Sequence, residues 1–198
     1  VLLTFDEPTH TYTLNGVVVP SVTQLLKLIG PDFSAIPPAV LERKRQLGAD
    51  VHLACELDDL GELDDDATDP EVMGYVRGWR RFIADTGAQW TANEKQMGHA
   101  ALGYAGTIDR TGYLFDREPW ILDIKTALEA HQVYGVQLSA YLMLVAANVS
   151  LSATAVWRRG TVHLLPGGTY RLHRYTSPAD EAAFRACLAL HHWKESTK

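Results

Sequence analysis

The 198-residue sequence has only two cysteines, Cys55 and Cys187, far apart in the chain. A four-cysteine zinc or iron–sulfur site is therefore excluded, and one disulfide would be a weak sign of secretion. No stretch of eighteen uncharged apolar residues occurs, which argues against a membrane-spanning helix. No N-terminal segment joins a basic start, an apolar run and a small-residue cleavage site. These absences lead to the expectation of a soluble cytoplasmic protein with reduced thiols and no membrane contact. Internal repeats and low-complexity linkers are also missing. Residues 1–198 therefore read as one domain, with an N-terminal hairpin and helices (about 1–86) packed on its core.

An excess of positive charge is lacking as well. The chain carries 18 Lys and Arg against 24 Asp and Glu, a formal net charge of −6. For a nucleic-acid partner that balance is unfavourable, but it is unevenly distributed. Nine acids and no Lys or Arg lie between Glu56 and Glu71, and outside that window 15 acids face 18 bases. The chain thus has one acidic flank and a mildly basic remainder.

The apolar pattern gives the elements. Phe5 to Val19 alternates around Asn15-Gly16, a hairpin signal with a type I′ turn. Ser21 is a plausible N-cap for a short helix through Val22, Leu25, Leu26 and Ile29, and Pro37-Pro38 precedes a longer one that carries His52. Residues 61–70 read as an acidic loop, and Pro70 to Ala84 as a third helix. Strands are expected at Gln89–Glu94, Leu102–Ile108, Trp120–Lys125, Ala153–Trp157, Val162–Leu165 and Tyr170–His173, with Gly112 in the connection between the second and third. Helices are expected at Val133–Ala147 and from Pro178 to about Trp193.

Two segments carry the chemistry. In Ile121-Leu122-Asp123-Ile124-Lys125, strand alternation puts Asp123 and Lys125 on one face and Leu122 and Ile124 on the other. Asp109 follows Gly106-Thr107-Ile108, about one hairpin away. Burying such charges without partners is costly. A solvent-facing salt bridge of Lys125 with Asp109 or Asp123 is one resolution. The other is a divalent cation between the two carboxylates, with Lys125 beside a phosphate or a water.

With these residues in place, the sequence resembles the PD-(D/E)XK nuclease superfamily, in its RecB-like and phage exonuclease branch. The resemblance rests on Gly48 and His52 (with one residue more between them than in the family pattern), Glu94, Gly106-Thr107-Ile108-Asp109, Asp123-Ile124-Lys125 and Gln137 with Tyr141. The opening, Tyr12 to Thr23 with Val19-Pro20-Ser21-Val22-Thr23, is also similar to that of phage members. It implies an α/β (α+β) fold with a restriction-endonuclease-like core, a central mixed β-sheet flanked by helices. It implies metal ligation by His52, Asp109 and Asp123, a catalytic Lys125, and Glu94 near a second metal or its water shell. It implies Mg²⁺ or Mn²⁺ as cofactor and Gln137 and Tyr141 as DNA-positioning residues. The implied activity is exonucleolytic cleavage of DNA to leave 5′-phosphates, in phage recombination, repair or processing within a host cytoplasm. A structure-specific endonuclease and an inactive DNA-binding or recombination module are the alternatives. A strand-annealing or recombination protein and further copies of the chain are partners such a nuclease could take.

Taken singly, each residue has a plainer reading. His52 lies between Val51 and Leu53 and could be a half-buried histidine bonded to backbone. Glu94 could be a solvated strand end beside Lys95, and Tyr141 could simply pack on the sheet. Arg43 and Arg45, with Lys44, could contact phosphates, as could Arg77, Arg80 and Arg81 or Arg158-Arg159. For any one group, a solvated helix face or turn explains it as well. Trp79 and Trp90 suit the core better than base stacking.

Overall fold

The computed structural model describes residues 2–149 and 156–197. The N-terminal strands β1 (Leu3–Asp6), β2 (Thr11–Leu14) and β3 (Val17–Val19) form an antiparallel meander. The expected hairpin is its second half. Asn15 (φ 50°) and Gly16 (φ 85°) both occupy the left-handed region that a type I′ turn requires. Helix α1 (Val22–Leu26) opens on a reciprocal cap: Gln24 N–H donates to Ser21 Oγ at 3.1 Å, and Ser21 N–H donates to Gln24 Oε1 at 2.9 Å.

Helices α2 (Pro38–Leu60) and α3 (Pro70–Thr86) follow, both with proline in the first turn, where a missing N–H costs no hydrogen bond. The first three turns of α2 are largely exposed, and only Val51, Ala54 and Cys55 of the helix are fully buried. The acidic segment 61–69 between the two helices contains no regular element.

The main sheet has the order β4 (Gln89–His99), β5 (Tyr104–Leu114), β6 (Glu118–Lys125), β7 (Arg158–Leu165) and β8 (Thr169–Arg174). Only the β6–β7 pairing is parallel. Helix α4 (Gln132–Asn148) makes the crossover between those two strands, and α5 (Ala179–Ser196) closes the chain. This is the mixed sheet with flanking helices that the resemblance implies, a restriction-endonuclease-like α/β arrangement.

Several boundaries differ from expectation: α1 ends at Leu26 rather than running through Ile29, and β7 begins at Arg158 rather than Val162. Strand β4 does not stop at Glu94 but runs to His99, and β5 continues past Asp109 to Leu114. Gly112 lies inside β5 rather than in a turn: a Cβ there would strike the Gln89 carbonyl oxygen at 2.3 Å, beside the register shift at Trp90/Ala92 in β4. The turn falls at Phe115, Asp116 and Arg117, all with positive φ. Of the strand expected at Ala153–Trp157, residues 153–155 lie outside the described residues, and Val156 and Trp157 precede β7.

The sheet separates two apolar layers. On one side Ile108, Ile121 and Met97 pack with α1, α4 and α5 through Val22, Leu138, Leu144 and Phe184. On the other, Leu122, Ile124, Val162 and Leu164 pack with α2 and α3 through Val51, Cys55, Val76 and Trp79. Helix α4 is buried over most of its circumference, as expected of a helix lodged between a sheet and other helices.

Candidate metal centre and active cleft

Where β5 and β6 splay apart, the strands deliver polar side chains into the interior. Their antiparallel register runs from Leu114↔Glu118 to Arg110↔Leu122 and ends there, next to Asp109 and Asp123. Strand β5 also changes face at this point. Ile108 packs on the α4 side, yet Arg110, two residues on, contacts α2 and α3. On a regular strand these two would share a face. The break lies opposite Glu94, whose φ of 42° marks a kink in β4. The irregularity turns Asp109 into the fork between the strands, where its Oδ2 accepts the Ile124 N–H at 2.8 Å.

Helix α2 closes the fork with His52. Its Nε2 lies 2.9 Å from the Ile124 carbonyl oxygen, which can only accept, so Nε2 carries the hydrogen. That bond fixes the tautomer and leaves Nδ1 facing two carboxylates, 3.5 Å from Asp109 Oδ2 and 3.7 Å from Glu94 Oε1. One ligand atom each from His52, Glu94 and Asp109 lies within 4.8 Å of the others. Among the described residues no other His, Cys, Asp or Glu group clusters in this way.

Asp123 and Lys125 lie on one face of β6 as alternation requires, and they form a buried ion pair. Helix α4 supports it: the Gln137 amide donates to Asp123 Oδ1 at 2.9 Å and to the Tyr141 hydroxyl at 3.1 Å. The Lys125 ammonium also lies over the Tyr134 ring, 4.9 Å from its centre. Gly106 has a steric role here, since a Cβ would lie 2.9 Å from the Tyr141 ring and 3.2 Å from Val22.

Electrostatics follow from crowding several acids, two of them buried, into one fork. Burial raises the Asp109 pKa, opposed by His52 and Lys125 and reinforced by Glu94. Burial also lifts Asp123 to about 6, against the pull of Lys125 and with a push from Asp109. For His52 burial acts downward, but the Asp109, Glu94 and Asp123 carboxylates outweigh it and raise the imidazole to about 9. Lys125 is likewise lowered by burial and raised further by Asp123 and Asp109. The acids thus hold protons on any base they can reach. Substituting a divalent cation for the His52 proton would answer the same excess of negative charge. The donor set, one imidazole and hard carboxylate oxygens, could hold a divalent cation.

No family model matches this chain, and no curated protein sequence does. Solved structures do. The alkaline exonuclease LHK-Exo from Laribacter hongkongensis superposes with a TM-score of 0.50 at 12% identity, over 89% of this chain and 87% of that one. The same exonuclease in complex with dAMP gives 0.46 at 13% identity over 90% and 88%. The structure of SSO0001 gives 0.33 at 15% over 71% and 69%. This chain shares the fold of the first.

The cleft, about 240 Å³, is lined by His52, Glu94, Asp109, Asp123, Lys125, Gln137 and Tyr141 together with residues of the N-terminal meander and α1. Sequence reasoning gave no site role to His10, Tyr12, Ser21 and Thr23 of that second group, or to Thr107 on β5. Tyr12 hydroxyl and Thr107 Oγ1 lie 2.7 Å apart and join the meander to β5. The segment Tyr12–Thr23 carried part of the resemblance, but its hydroxyl residues have ordinary strand and cap composition and mark no site by themselves.

Arg43 and Arg45 lie outside the cleft lining, on the exposed part of α2. Arg45 is paired with Glu42 at 2.6 Å, and Arg43 lies 3.7 Å from Glu71. Arg80 is held by Asp58 and Asp65 at the acidic segment. Trp79 and Trp90 stack on each other and donate both indole N–H groups to Asp59.

Proposed function

We propose that this chain is a divalent-metal-dependent DNA exonuclease that hydrolyses phosphodiester bonds and leaves 5′-phosphates. The observation that carries the reading is the convergence of His52, Glu94 and Asp109 beside the Asp123–Lys125 pair in one cleft. The motif order in the sequence supports it. So does a fold shared with a protein described as an alkaline exonuclease.

In this reading His52, Glu94 and Asp109 hold Mg²⁺ or Mn²⁺, with Asp123 joining the set. The cation would supply charge stabilisation at the phosphoryl oxygens and acidify water. Lys125 donates to the phosphate or positions the attacking water, and its ammonium offsets negative charge that grows during hydrolysis. Asp123 holds Lys125 in place until substrate arrives. Gln137 and Tyr141 orient Asp123 and line the wall against which the nucleic-acid backbone lies. Arg43 and Arg45 extend the binding surface along α2 by contacting phosphates. The domain is proposed to act in the cytoplasm on DNA ends in phage recombination or repair, with an annealing protein or further copies of itself as partners.

The test is digestion of linear and covalently closed circular DNA with Mg²⁺, Mn²⁺ or EDTA, using wild type, Asp123→Ala and Lys125→Ala. Linear DNA should be degraded from its ends only with metal, and either substitution should lower the rate at least 100-fold. Equal activity of both variants with wild type would remove the site assignment. Cleavage of closed circles would replace exonuclease by endonuclease.

A further inference from the structure

Behind the cleft, between β4–β5 and helices α2 and α3, lies a second set of charges that the proposed chemistry does not use. Arg110 is completely buried. Its Nε donates to Asp59 Oδ2 at 2.8 Å, and its Nη1 donates to Glu94 Oε1 at 3.1 Å and to the Asp109 carbonyl oxygen at 2.7 Å. Its guanidinium lies over the Trp79 ring, 5.5 Å from the centre. Asp59 is fixed in turn: its Oδ1 accepts the Trp79 indole N–H at 3.0 Å and that of Trp90 at 3.2 Å.

We infer that Arg110, locked by Asp59 and the two indoles, is a positioning residue that sets the Glu94 carboxylate for metal binding. This rests on the metal-dependent reading above and deepens it.

The argument is geometric. Glu94 sits at the backbone kink in β4, between the paired residues Asn93 and Lys95. A glutamate carboxylate on three rotatable bonds would sample several directions, and a ligand must be held within a fraction of an ångström to bind well. Arg110 donates to Glu94 Oε1, the same oxygen that lies 3.7 Å from His52 Nδ1. A guanidinium has five donors in a rigid plane, so fixing Nε on Asp59 also fixes the direction of Nη1. The same group grips the Asp109 backbone. One rigid plane therefore references two of the three clustered acidic and imidazole ligands to each other. The chain is continuous from the outer face, where Asp59 and Trp90 border a hollow with Arg80 and Ile83, to the cleft. A buried guanidinium is expensive to desolvate, and apolar packing would fill this volume without such a cost. Its placement against a candidate ligand gives it a purpose that stability does not.

The experiment is calorimetric Mn²⁺ binding by the full chain. It compares wild type, Arg110→Lys, Asp59→Asn, Glu94→Gln and the double variant Arg110→Lys/Glu94→Gln. Asp59→Asn keeps an acceptor for both indoles but replaces the oxygen that accepts Arg110 Nε–H by an amide N–H₂, so it releases the guanidinium and carries the test if Arg110→Lys does not fold in EDTA. Loss of an outer partner of a metal ligand weakens binding 10- to 100-fold, and that loss is expected for Arg110→Lys and Asp59→Asn. In the Glu94→Gln background, Arg110→Lys should add less than about twofold, because its route to the metal is gone. A purely structural role would give losses that multiply in the double variant, and that result overturns the inference. So does wild-type affinity in both Arg110→Lys and Asp59→Asn. Failure of the wild-type chain to bind Mn²⁺ at all overturns the metal reading itself, and this inference with it.

Discussion

At His52 one ring nitrogen is tied to the Ile124 carbonyl, and the other faces Asp109 and Glu94. In the metal-free protein the Asp109, Glu94 and Asp123 carboxylates outweigh burial, raise the imidazole pKa from 6.5 to about 9 and so favour a proton on that second nitrogen. A group whose folded-state pKa is raised stabilises the fold fully below its unfolded value and loses that contribution as pH climbs through the folded value. In EDTA, wild type should therefore melt above His52→Gln at pH 6, and the difference should shrink between pH 6.5 and 9. With Mn²⁺ the trend reverses, because cation and proton compete for one lone pair, so stabilisation by metal should grow over the same range. Melting curves across pH, with and without Mn²⁺, check both. A difference that stays flat with pH would mean that the native imidazole is not charged.

The residues that could be read directly were those whose position follows from alternation on a regular strand. Asp123 and Lys125 share a face, and Leu122 and Ile124 pack opposite, because β6 is regular through that stretch. Arg110 was not legible for the converse reason. Simple alternation places it with Ile108, and only the kink at Glu94 sends it to the other layer. A positive φ at a glutamate leaves no mark in composition.

Among the elements, α3 shows what a helical glycine can mean. Gly74 and Gly78 are four apart and therefore share a face. A Cβ on Gly74 would lie 2.3 Å from the Pro166 carbonyl oxygen, and one on Gly78 would lie 2.6 Å from that of Thr169. Helix α3 thus rests its backbone on the turn joining β7 to β8. Alanine is intrinsically better in a helix by about 1 kcal/mol, but these contacts are with backbone and cannot swing away. Gly74→Ala and Gly78→Ala should each destabilise the protein by about 1–3 kcal/mol. Gly48 in α2 is the control. Its Cβ would meet only Thr126 Oγ1 at 3.8 Å, an ordinary contact, so Gly48→Ala should stabilise by about 0.5–1 kcal/mol. Denaturant titration of the three variants reads both signs, and equal shifts for all of them would contradict the packing argument. Helix positions were legible because caps and prolines mark them, as at Ser21, Pro38 and Pro70. The β5–β6 turn was not, because Phe115, Asp116 and Arg117 adopt positive φ without glycine, while Gly112, the expected breaker, serves close packing inside a strand.

Over the whole molecule, the acidic loop 61–69 and the cleft carry the same sign of charge, and a polyanionic substrate must approach both. Their separation decides how much that matters. His52 and Leu60 are eight residues apart on α2, so the acidic loop begins about 12 Å from the cleft at 1.5 Å per residue. Two unit charges that far apart in water interact by roughly 0.3 kcal/mol before screening. The screening length is about 8 Å at 0.15 M salt and about 30 Å at 0.01 M. At physiological salt the loop should be nearly silent toward DNA, whereas at low salt its repulsion should reach several phosphates at once. Glu62 and Asp66 are the residues to change, since Asp58 and Asp65 are committed to Arg80 and Asp64 caps its own turn. Reversing them as Glu62→Lys/Asp66→Lys should tighten binding of a short DNA duplex several-fold at 0.01 M salt and by less than about twofold at 0.15 M. Fluorescence anisotropy at the two ionic strengths measures this in EDTA, where no cleavage intervenes. A gain of equal size at both salts would mean that the loop touches the DNA directly, and that the substrate lies across α2 toward α3 rather than along its exposed first turns beside Arg43 and Arg45.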